Sequence, residues 1–300
     1  MTANTEISHA RKAKYGGVLS VVMAVICLIW VAPIFIVIMN SFKRKAYIFK
    51  YPFSISTHKL SDGWDKFAKG ISKMTCGILN YTNAIEKTKF WQSFGYSLFI
   101  TVVSVALIVL CCSMCAWYIT RVHSVGTRII YLLFLFSMIV PFQMVMFTLS
   151  KFANMLHLST PWGIVVVYLG FGAGLSVFMF TGFVKGISIE IEEAAMIDGC
   201  SPLQTFFNIV FPILKPTTIT VAILQAMWIW NDYLLPSLVL NINRYKTIPI
   251  AVQYLKQSHG QVDWGAMMAV LVLAIIPIVI FYIACQKYII EGVMAGAVKG

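Results

Sequence analysis

Long apolar runs, almost free of charged residues, dominate the pattern of hydrophobic and polar positions along this chain. Each run reaches about 20 residues, the helical length that crosses a hydrocarbon core of about 30 Å. Within a run the apolar residues are continuous and do not alternate with polar ones, so the pattern favours helices over the strands of a closed barrel. The sequence therefore predicts an all-α integral membrane protein with six transmembrane helices, at 18–39, 94–120, 129–150, 162–184, 217–240 and 265–286.

The first apolar run has some features of a secretory signal, because Arg11, Lys12 and Lys14 precede it. It is longer than the apolar region of a signal peptide, and no small-x-small cleavage site follows Met39. The run is therefore expected to be a retained transmembrane helix.

Composition also indicates a chain built for lipid. Of the 300 residues, 59% are hydrophobic and 11% are charged, and the mean hydropathy is +0.82, whereas soluble domains carry about 25% charged residues. The net charge of +12 comes from basic residues scattered through the segments between apolar runs. This pattern is typical of charge flanking a membrane, so no binding of nucleic acid is expected.

The residues that could carry chemistry do not form a catalytic or metal-binding pattern. Cys111, Cys112 and Cys115 form a C-x-x-C pattern inside the second apolar run, where cysteine behaves as a small apolar residue. The five histidines are dispersed, no nucleophile–base pair can be argued, and the sequence contains no Gly-x-x-x-x-Gly-Lys phosphate-binding motif. We expect no cofactor, no metal site and no enzymatic activity, so ATP hydrolysis would have to occur in a separate subunit.

One acidic segment separates the fourth apolar run from the fifth. Ser188 is a good N-cap for a short helix. Glu190, Glu192 and Glu193 fall in the first turns of that helix, where negative charge suits the helix dipole. Gly199 is placed to end the helix in the left-handed conformation.

A second helix is predicted directly after this glycine. Ser201 caps it, Pro202 takes the first helical position and Gln204 completes a capping box. Its apolar stripe at helical spacing comprises Leu203, Phe206, Phe207 and Val210. With a rise of about 1.5 Å per residue the first helix is only about 15 Å long, so it cannot span the bilayer. The hairpin either offers another protein a docking surface, with Ala194 and Ala195 leaving one flank small, or merely joins two spans.

The distribution of lysine and arginine residues between the two sides of the membrane bears on the orientation of the chain. With six spans both termini lie on one side, and more lysine and arginine residues lie on the other side, mainly in 43–89. Taken literally, this excess would put the termini outside the cell. Most of the excess lies in the single loop 41–90, of about 50 residues, close to the length beyond which the rule weakens. Orientation therefore depends on the hairpin.

The hairpin resembles the EAA loop of the permease subunits of binding-protein-dependent ABC importers. That motif is Glu-Ala-Ala, three residues, Gly, nine residues, and then Ile-x-Leu-Pro. Here Glu193-Ala194-Ala195 is followed by Gly199 and then by Ile209-Val210-Phe211-Pro212, with phenylalanine in place of leucine. NSFK at 40–43, WNDYLLPSLVL at 230–240 and EGVMAGAVKG at 291–300 are similar to the carbohydrate-importer branch, in particular its MalG-type subunits.

This resemblance implies a type I importer fold in a bacterial or archaeal cytoplasmic membrane. It divides the chain into a cytoplasmic N-terminus 1–17, a first transmembrane helix 18–40, an extracellular loop 41–90, an ABC transporter type-1 transmembrane domain 91–286 and a cytoplasmic tail 287–300. The implied partners are a second, different permease subunit, a cytoplasmic ABC ATPase dimer, an extracellular solute-binding protein reached by 241–263, the lipid bilayer and a sugar substrate.

The resemblance also assigns functional residues. Those expected to couple the chain to the ATPases are Glu192, Glu193, Ala194, Ala195, Asp198, Gly199, Ile209 and Pro212. The tail residues expected to contact the ATPases are Gly296, Ala297, Val298, Lys299 and Gly300.

Candidate pathway residues lie near the end of the fifth apolar run, at Trp228, Asn231, Asp232 and Tyr233, and at Gln143 beside a proline break in the third run. An acidic residue such as Asp232 is costly in lipid and normally faces protein or water. It either lines the sugar route or caps the structure at the outer interface, where tryptophan and tyrosine are common.

The sequence thus indicates a transmembrane permease subunit of an ATP-driven importer of sugars or oligosaccharides. Such a subunit forms half of the translocation pathway and transmits ATPase motion through the EAA loop. One alternative is an ABC importer permease for a non-sugar solute. Another is an ion-driven carrier acting alone, which would show ionisable residues in several spans and inverted repeats, features that the sequence does not display.

Overall fold

The computed structural model describes residues 16–257 and 262–297, and these residues form helices and no β-strand. Among them, four uninterrupted helices are long and apolar enough to cross a membrane. They are α1 (Gly16–Ser41), α5 (Phe90–Arg121), α8 (Pro161–Val184) and α15 (Trp264–Ala297). Two bent pairs raise the number of candidate spans in the described residues to six.

Both bent pairs contain prolines. The helices α6 (Val125–Ile139) and α7 (Phe142–Met155) meet at 108° around Val140 and Pro141, because proline lacks an N–H and disfavours helix in the residue before it. The second pair joins 202–213 to α12 (Lys215–Asn231) at 77°. The prediction of a continuous fifth span over 217–240 is therefore wrong. That run is split between α12 and α13 (Leu234–Val239) by an extended Asp232.

Shorter helices occupy the connecting segments. The predicted loop 41–90 holds α2 (Lys45–Lys50), a 3₁₀ turn (Leu60–Asp62), α3 (Trp64–Met74) and α4 (Leu79–Thr88). Between α8 and α12 lie α9 (Ile189–Ile197), α10 (Pro202–Thr205), a π-helical turn (Phe206–Val210) and α11 (Phe211–Ile213). The remaining helix is α14 (Ile248–Gln257), and α15 continues through residues that the sequence predicted as tail.

The chain divides into two compact units. The first contains residues 16–82 and Asp263–Val272, and its polar centre is the NSFK segment. The buried ammonium of Lys43 donates to the side-chain oxygen of Asn40 and to the carbonyl of Tyr51, both at 2.8 Å. Burial lowers the pKa of Lys43. The side chain of Asn80 donates to the carbonyls of Ser41 and Lys43 at 2.7 and 2.8 Å, which ties α4 to the end of α1.

The second unit comprises Asn83–Val262 and the chain from Leu273 onward. Its core is formed by α5 and α8, with α6 and α12 packed beside them. Close approach of the helices requires Gly172, because a Cβ there would lie 2.6 Å from the side chain of Ile108. In the same place the buried amide of Gln225 donates to the carbonyl of Gly172 and the hydroxyl of Ser176. This packing joins α5, α8 and α12 near their middles.

Candidate functional site

The acidic hairpin begins with α9, which forms as the sequence predicts. The hydroxyl of Ser188 accepts a hydrogen bond from the backbone N–H of Glu190 at 3.3 Å. Gly199 ends the helix with φ of +87°. The N–H of Gly199 donates to the carbonyl of Met196, and the N–H of Cys200 donates to the carbonyl of Ala195. These two bonds form a Schellman motif, which requires a left-handed residue at the position of the glycine.

The second arm begins with the predicted capping box. The backbone N–H of Ser201 donates to the side-chain oxygen of Gln204 at 2.8 Å, and the serine hydroxyl accepts from the N–H of Gln204 at 3.4 Å. Pro202 takes a position in the first turn, where its missing N–H costs nothing. Pro212 and Pro216 also lie in first turns, of α11 and α12. They therefore redirect the chain into the next span.

A buried ion pair anchors the hairpin to the end of α5. Glu192 is only 2% exposed, and its Oε1 accepts hydrogen bonds from Nε and Nη2 of Arg121 at 3.0 and 2.6 Å. Its Oε2 accepts from the indole N–H of Trp117 at 2.9 Å. Such a carboxylate has partners on both oxygens, which a buried charge requires.

Arg121 also connects the hairpin to α8. Its Nη2 donates to the carbonyls of Val184 and Ile187, at 3.4 and 3.0 Å. These carbonyls belong to the end of α8 and to the turn that follows it. One guanidinium therefore holds together α5, the end of α8 and α9.

Aromatic packing anchors the second arm. Phe206 and Val210 are fully buried, and the ring of Phe206 lies 5.5 Å from that of Trp117. Leu203 and Phe207 are exposed. Only two of the four residues of the predicted apolar stripe are therefore buried in the chain's own core. The π-helical turn over this stretch changes the angular spacing of its side chains.

The opposite face of the hairpin points outward. Glu193, Ala194, Asp198 and Gly199 are exposed, as is Pro212, while Ile209 is half-buried. Apolar side chains accompany these acids, and Ile197 is 86% exposed. Acidic and exposed apolar residues together are typical of a surface that another protein covers.

Two of the predicted coupling residues, Glu192 and Ala195, face the chain's own core instead of the outer face. Ala195 is 8% exposed and sits three positions after Glu192, on the same face of the helix. The expectation that both alanines form a small external flank is therefore wrong, and only Ala194 remains external. The sequence analysis also missed Arg121 and Trp117, whose i, i+4 spacing at the end of an apolar run was the available signal.

Four of the five candidate pathway residues lie around the break between α12 and α13, and the fifth, Gln143, lies in the first turn of α7. Trp228, Tyr233 and Gln143 are exposed, and the exposed Asn231 donates to its own helix at the carbonyl of Met227. Asp232 differs from them, because it caps α13.

Three hydrogen bonds fix the carboxylate of Asp232. Its Oδ1 accepts from the N–H groups of Leu234 and Leu235 at 2.9 and 3.3 Å, and its Oδ2 accepts from the hydroxyl of Tyr168 at 3.1 Å. The acid is thus held by α8 and by the backbone that follows it. This geometry corresponds to the structural cap, one of the two interpretations that the sequence allows.

The predicted tail contacts fall at the end of α15. The backbone of Gly296 and Ala297 continues the helix. Val298, Lys299 and Gly300 lie outside the described residues.

The chain is similar to permease proteins of transport systems. A probable permease protein of a starch degradation products transport system (AmyC) of Thermoanaerobacterium thermosulfurigenes is 39% identical, over 92% of this chain and 94% of its own length. The permease protein MsmG of a multiple sugar-binding transport system of Streptococcus mutans is 32% identical, over 89% of this chain and 91% of its own length.

A solved structure shares the fold. It is a chain of a bacterial ABC transporter involved in the import of the acidic polysaccharide alginate, with a TM-score of 0.70 and 22% identity, covering 93% of this chain and 98% of that one. The family model for the inner membrane component of binding-protein-dependent transport systems matches residues 108–294, which include the hairpin and its anchor. The chain belongs to this family of inner membrane components of binding-protein-dependent transport systems.

Proposed function

We propose that this chain is one of two different permease subunits of an ATP-driven importer of sugars or oligosaccharides. The observation that carries the proposal is the two-sided hairpin. One side is fixed to the chain's own helices through Glu192, and the other exposes Glu193, Asp198 and Ile197. A rigid element with one anchored face and one free face is suited to receive a force and pass it on.

The ATPase dimer is the proposed source of that force. In this account the exposed acids accept hydrogen bonds or ion pairs from the ATPase, and the exposed apolar side chains enter a cleft on it. Because Arg121 links the hairpin to the ends of α5 and α8, a displacement of the hairpin moves both helices together. The spans then rock as rigid bodies between inward-open and outward-open states.

The hairpin also sets the proposed orientation. Docking to a cytoplasmic ATPase puts α9 and both termini in the cytoplasm, and it places the polar segment before α15 outside, within reach of a solute-binding protein. This orientation runs against the raw charge count, in which basic residues are in excess on the outer side.

A sugar is proposed as the cargo because the matched relatives, by name, transport starch degradation products and multiple sugars. Exposed side chains near the break after α12 offer stacking faces and hydrogen-bonding groups to such a cargo. We assign Trp228, Asn231, Tyr233 and Gln143 to the pathway wall, and Asp232 to holding α13 in place.

The end of α15 is proposed as a second contact with the ATPases. Small residues at Gly296, Ala297 and Gly300 would allow close approach of another backbone. Val298 and Lys299 complete this proposed contact.

Reconstitution tests the proposal. The chain is purified with a second permease, an ATPase and a binding protein from the same transport system, and placed in proteoliposomes. We expect ATP-dependent accumulation of a labelled malto-oligosaccharide, with none when the ATPase is omitted. Accumulation by this chain alone, driven by an ion gradient, would identify it as a carrier, and accumulation of amino acids in place of oligosaccharides would overturn the cargo.

A further inference from the structure

A cavity of about 200 Å³ in the second unit is lined by basic side chains. It lies between the start of α5 and the segment around the start of α14, at the end of α5 opposite to Arg121. Lys87, Lys89, Arg244 and Lys246 line it, and its described lining includes no acidic residue. A cavity of this composition attracts an anion.

One of these lysines is held in place by a side-chain contact, and another has an unusual backbone conformation. The ammonium of Lys246 lies 3.9 Å from the centre of the Tyr254 ring, a cation–π contact that fixes the side chain without neutralising it. Lys89 has φ of +47°, a conformation that is uncommon for a residue other than glycine. Strained backbone of this kind clusters at binding sites.

The depth of the cavity follows from the length of α5. Its 32 residues extend about 48 Å, whereas the hydrocarbon core is about 30 Å thick. Residues 90–93 of α5 precede the apolar run that begins at Phe94, so the start of the helix is the part expected at the level of the lipid headgroups. Gln92 and Ser93, which line the cavity, belong to this part, and Tyr96 follows in the next turn.

An aromatic groove of about 620 Å³ adjoins the cavity, since Gln92 and Tyr96 line both. Phe99 lies further along α5, in edge-on contact with Trp162 at 4.6 Å. Gly95 lies on α5 between Gln92 and Phe99 and also lines the groove. It leaves the groove open, because a Cβ there would meet no described atom within 4 Å. The groove therefore leads from the basic cavity along α5 toward the apolar part of the span.

We propose that the cavity and groove together bind one anionic phospholipid. Lys89, Arg244 and Lys246 hold the phosphate, and an acyl chain lies along Gly95 and Phe99. A basic site at headgroup depth that opens into an aromatic groove matches the two halves of a lipid molecule. The site is separate from the hairpin and does not depend on the coupling role. Arg244 and Lys246 belong to the segment 241–263, and the proposed contact with the solute-binding protein is left to the other residues of that segment.

Native mass spectrometry of the full-length chain tests the site. The detergent-purified protein is incubated with equimolar dioleoyl phosphatidylglycerol and dioleoyl phosphatidylcholine. We expect preferential retention of phosphatidylglycerol, and a reduction of roughly 10- to 30-fold in its affinity when Arg244→Gln and Lys246→Gln remove two charges. Lys151→Gln removes an exposed charge outside the cavity and should leave retention unchanged.

A second variant tests the groove without changing any charge. Gly95→Leu fills the open part of α5 and should weaken phosphatidylglycerol retention while the protein stays monodisperse. If the cavity variant loses retention and Gly95→Leu does not, the site binds an anion but not a lipid. Equal retention of both lipids would also contradict the proposal. So would displacement of phosphatidylglycerol by an equal concentration of inorganic phosphate or glucuronate, which are anions without an acyl chain.

Discussion

Arg121 at the end of α5 donates two hydrogen bonds to one carboxylate oxygen of Glu192 in α9, at 3.0 and 2.6 Å, across 71 positions of sequence. The carboxylate is buried and the arginine side chain is 18% exposed. The pair therefore loses little of its strength to solvent, and it joins the hairpin to the membrane-embedded core.

Replacing Glu192 by alanine should loosen the hairpin. The change leaves Arg121 without its counter-ion and the indole N–H of Trp117 without its acceptor, which we expect to cost about 3–5 kcal/mol of stability. Thermal unfolding of the purified complex measures this loss, and proteoliposomes should transport fewer sugar molecules per ATP hydrolysed. Glu86→Ala removes an exposed acid in α4, outside the hairpin, and is the matched control. An unchanged ratio of transport to hydrolysis in Glu192→Ala would remove the pair from the coupling route.

The turn of the hairpin depends on backbone conformation alone. A Cβ at Gly199 would meet no described atom within 4 Å, so a substitution acts through φ of +87°. Gly199→Val should therefore abolish coupled uptake while membrane insertion persists, at a conformational cost of about 1–2 kcal/mol or more. Gly199→Asn, which tolerates the left-handed region better, should retain most uptake. Equal uptake by the two variants would show that the turn conformation does not matter.

The cap at Asp232 predicts a stability effect. Asp232→Ala removes the acceptor for two backbone N–H groups and for the Tyr168 hydroxyl, which we expect to cost about 1–2 kcal/mol. Tyr168→Phe removes one bond of the three and should cost less. Thermal unfolding distinguishes them. A normal unfolding temperature with reduced sugar uptake in Asp232→Ala would instead identify the acid as a pathway residue.

The buried Lys43 should be essential to the first unit. Lys43→Met leaves the oxygens of Asn40 and Tyr51 without their donor, at a cost of about 1–3 kcal/mol for buried groups. Limited proteolysis should then cut the segment 41–82 faster. Lys66→Met, at an exposed lysine in α3, should behave as the unchanged protein, and identical cleavage of both variants would contradict this role of Lys43.

The sequence predicts local features of the hairpin well. The capping residues of the hairpin are Ser188, Gly199, Ser201 and Gln204. Each cap involves only residues a few positions away in sequence, so local capping chemistry is enough to predict it. The long spans follow in the same way from apolar length.

Long-range partners are harder to predict from the sequence. Glu192 and Glu193 are adjacent and chemically identical, yet one is buried against α5 and the other is exposed. Which of them turns inward depends on the rotation of α9 against the end of α5, which no local pattern specifies. The break at Asp232 was missed for a related reason, because its cap is completed by Tyr168 from another helix.

The central claim is that the outer face of the hairpin docks on the ATPase. The most direct measurement attaches a maleimide benzophenone to Ala194→Cys, in a background in which the seven native cysteines are replaced by serine or alanine, and illuminates the assembled complex. The account predicts a covalent adduct with the ATPase from position 194, and none from the buried Ala195→Cys or from Asn154→Cys at the far end of α7. An ATPase adduct from position 154, or none from position 194 in an actively transporting complex, would contradict the account.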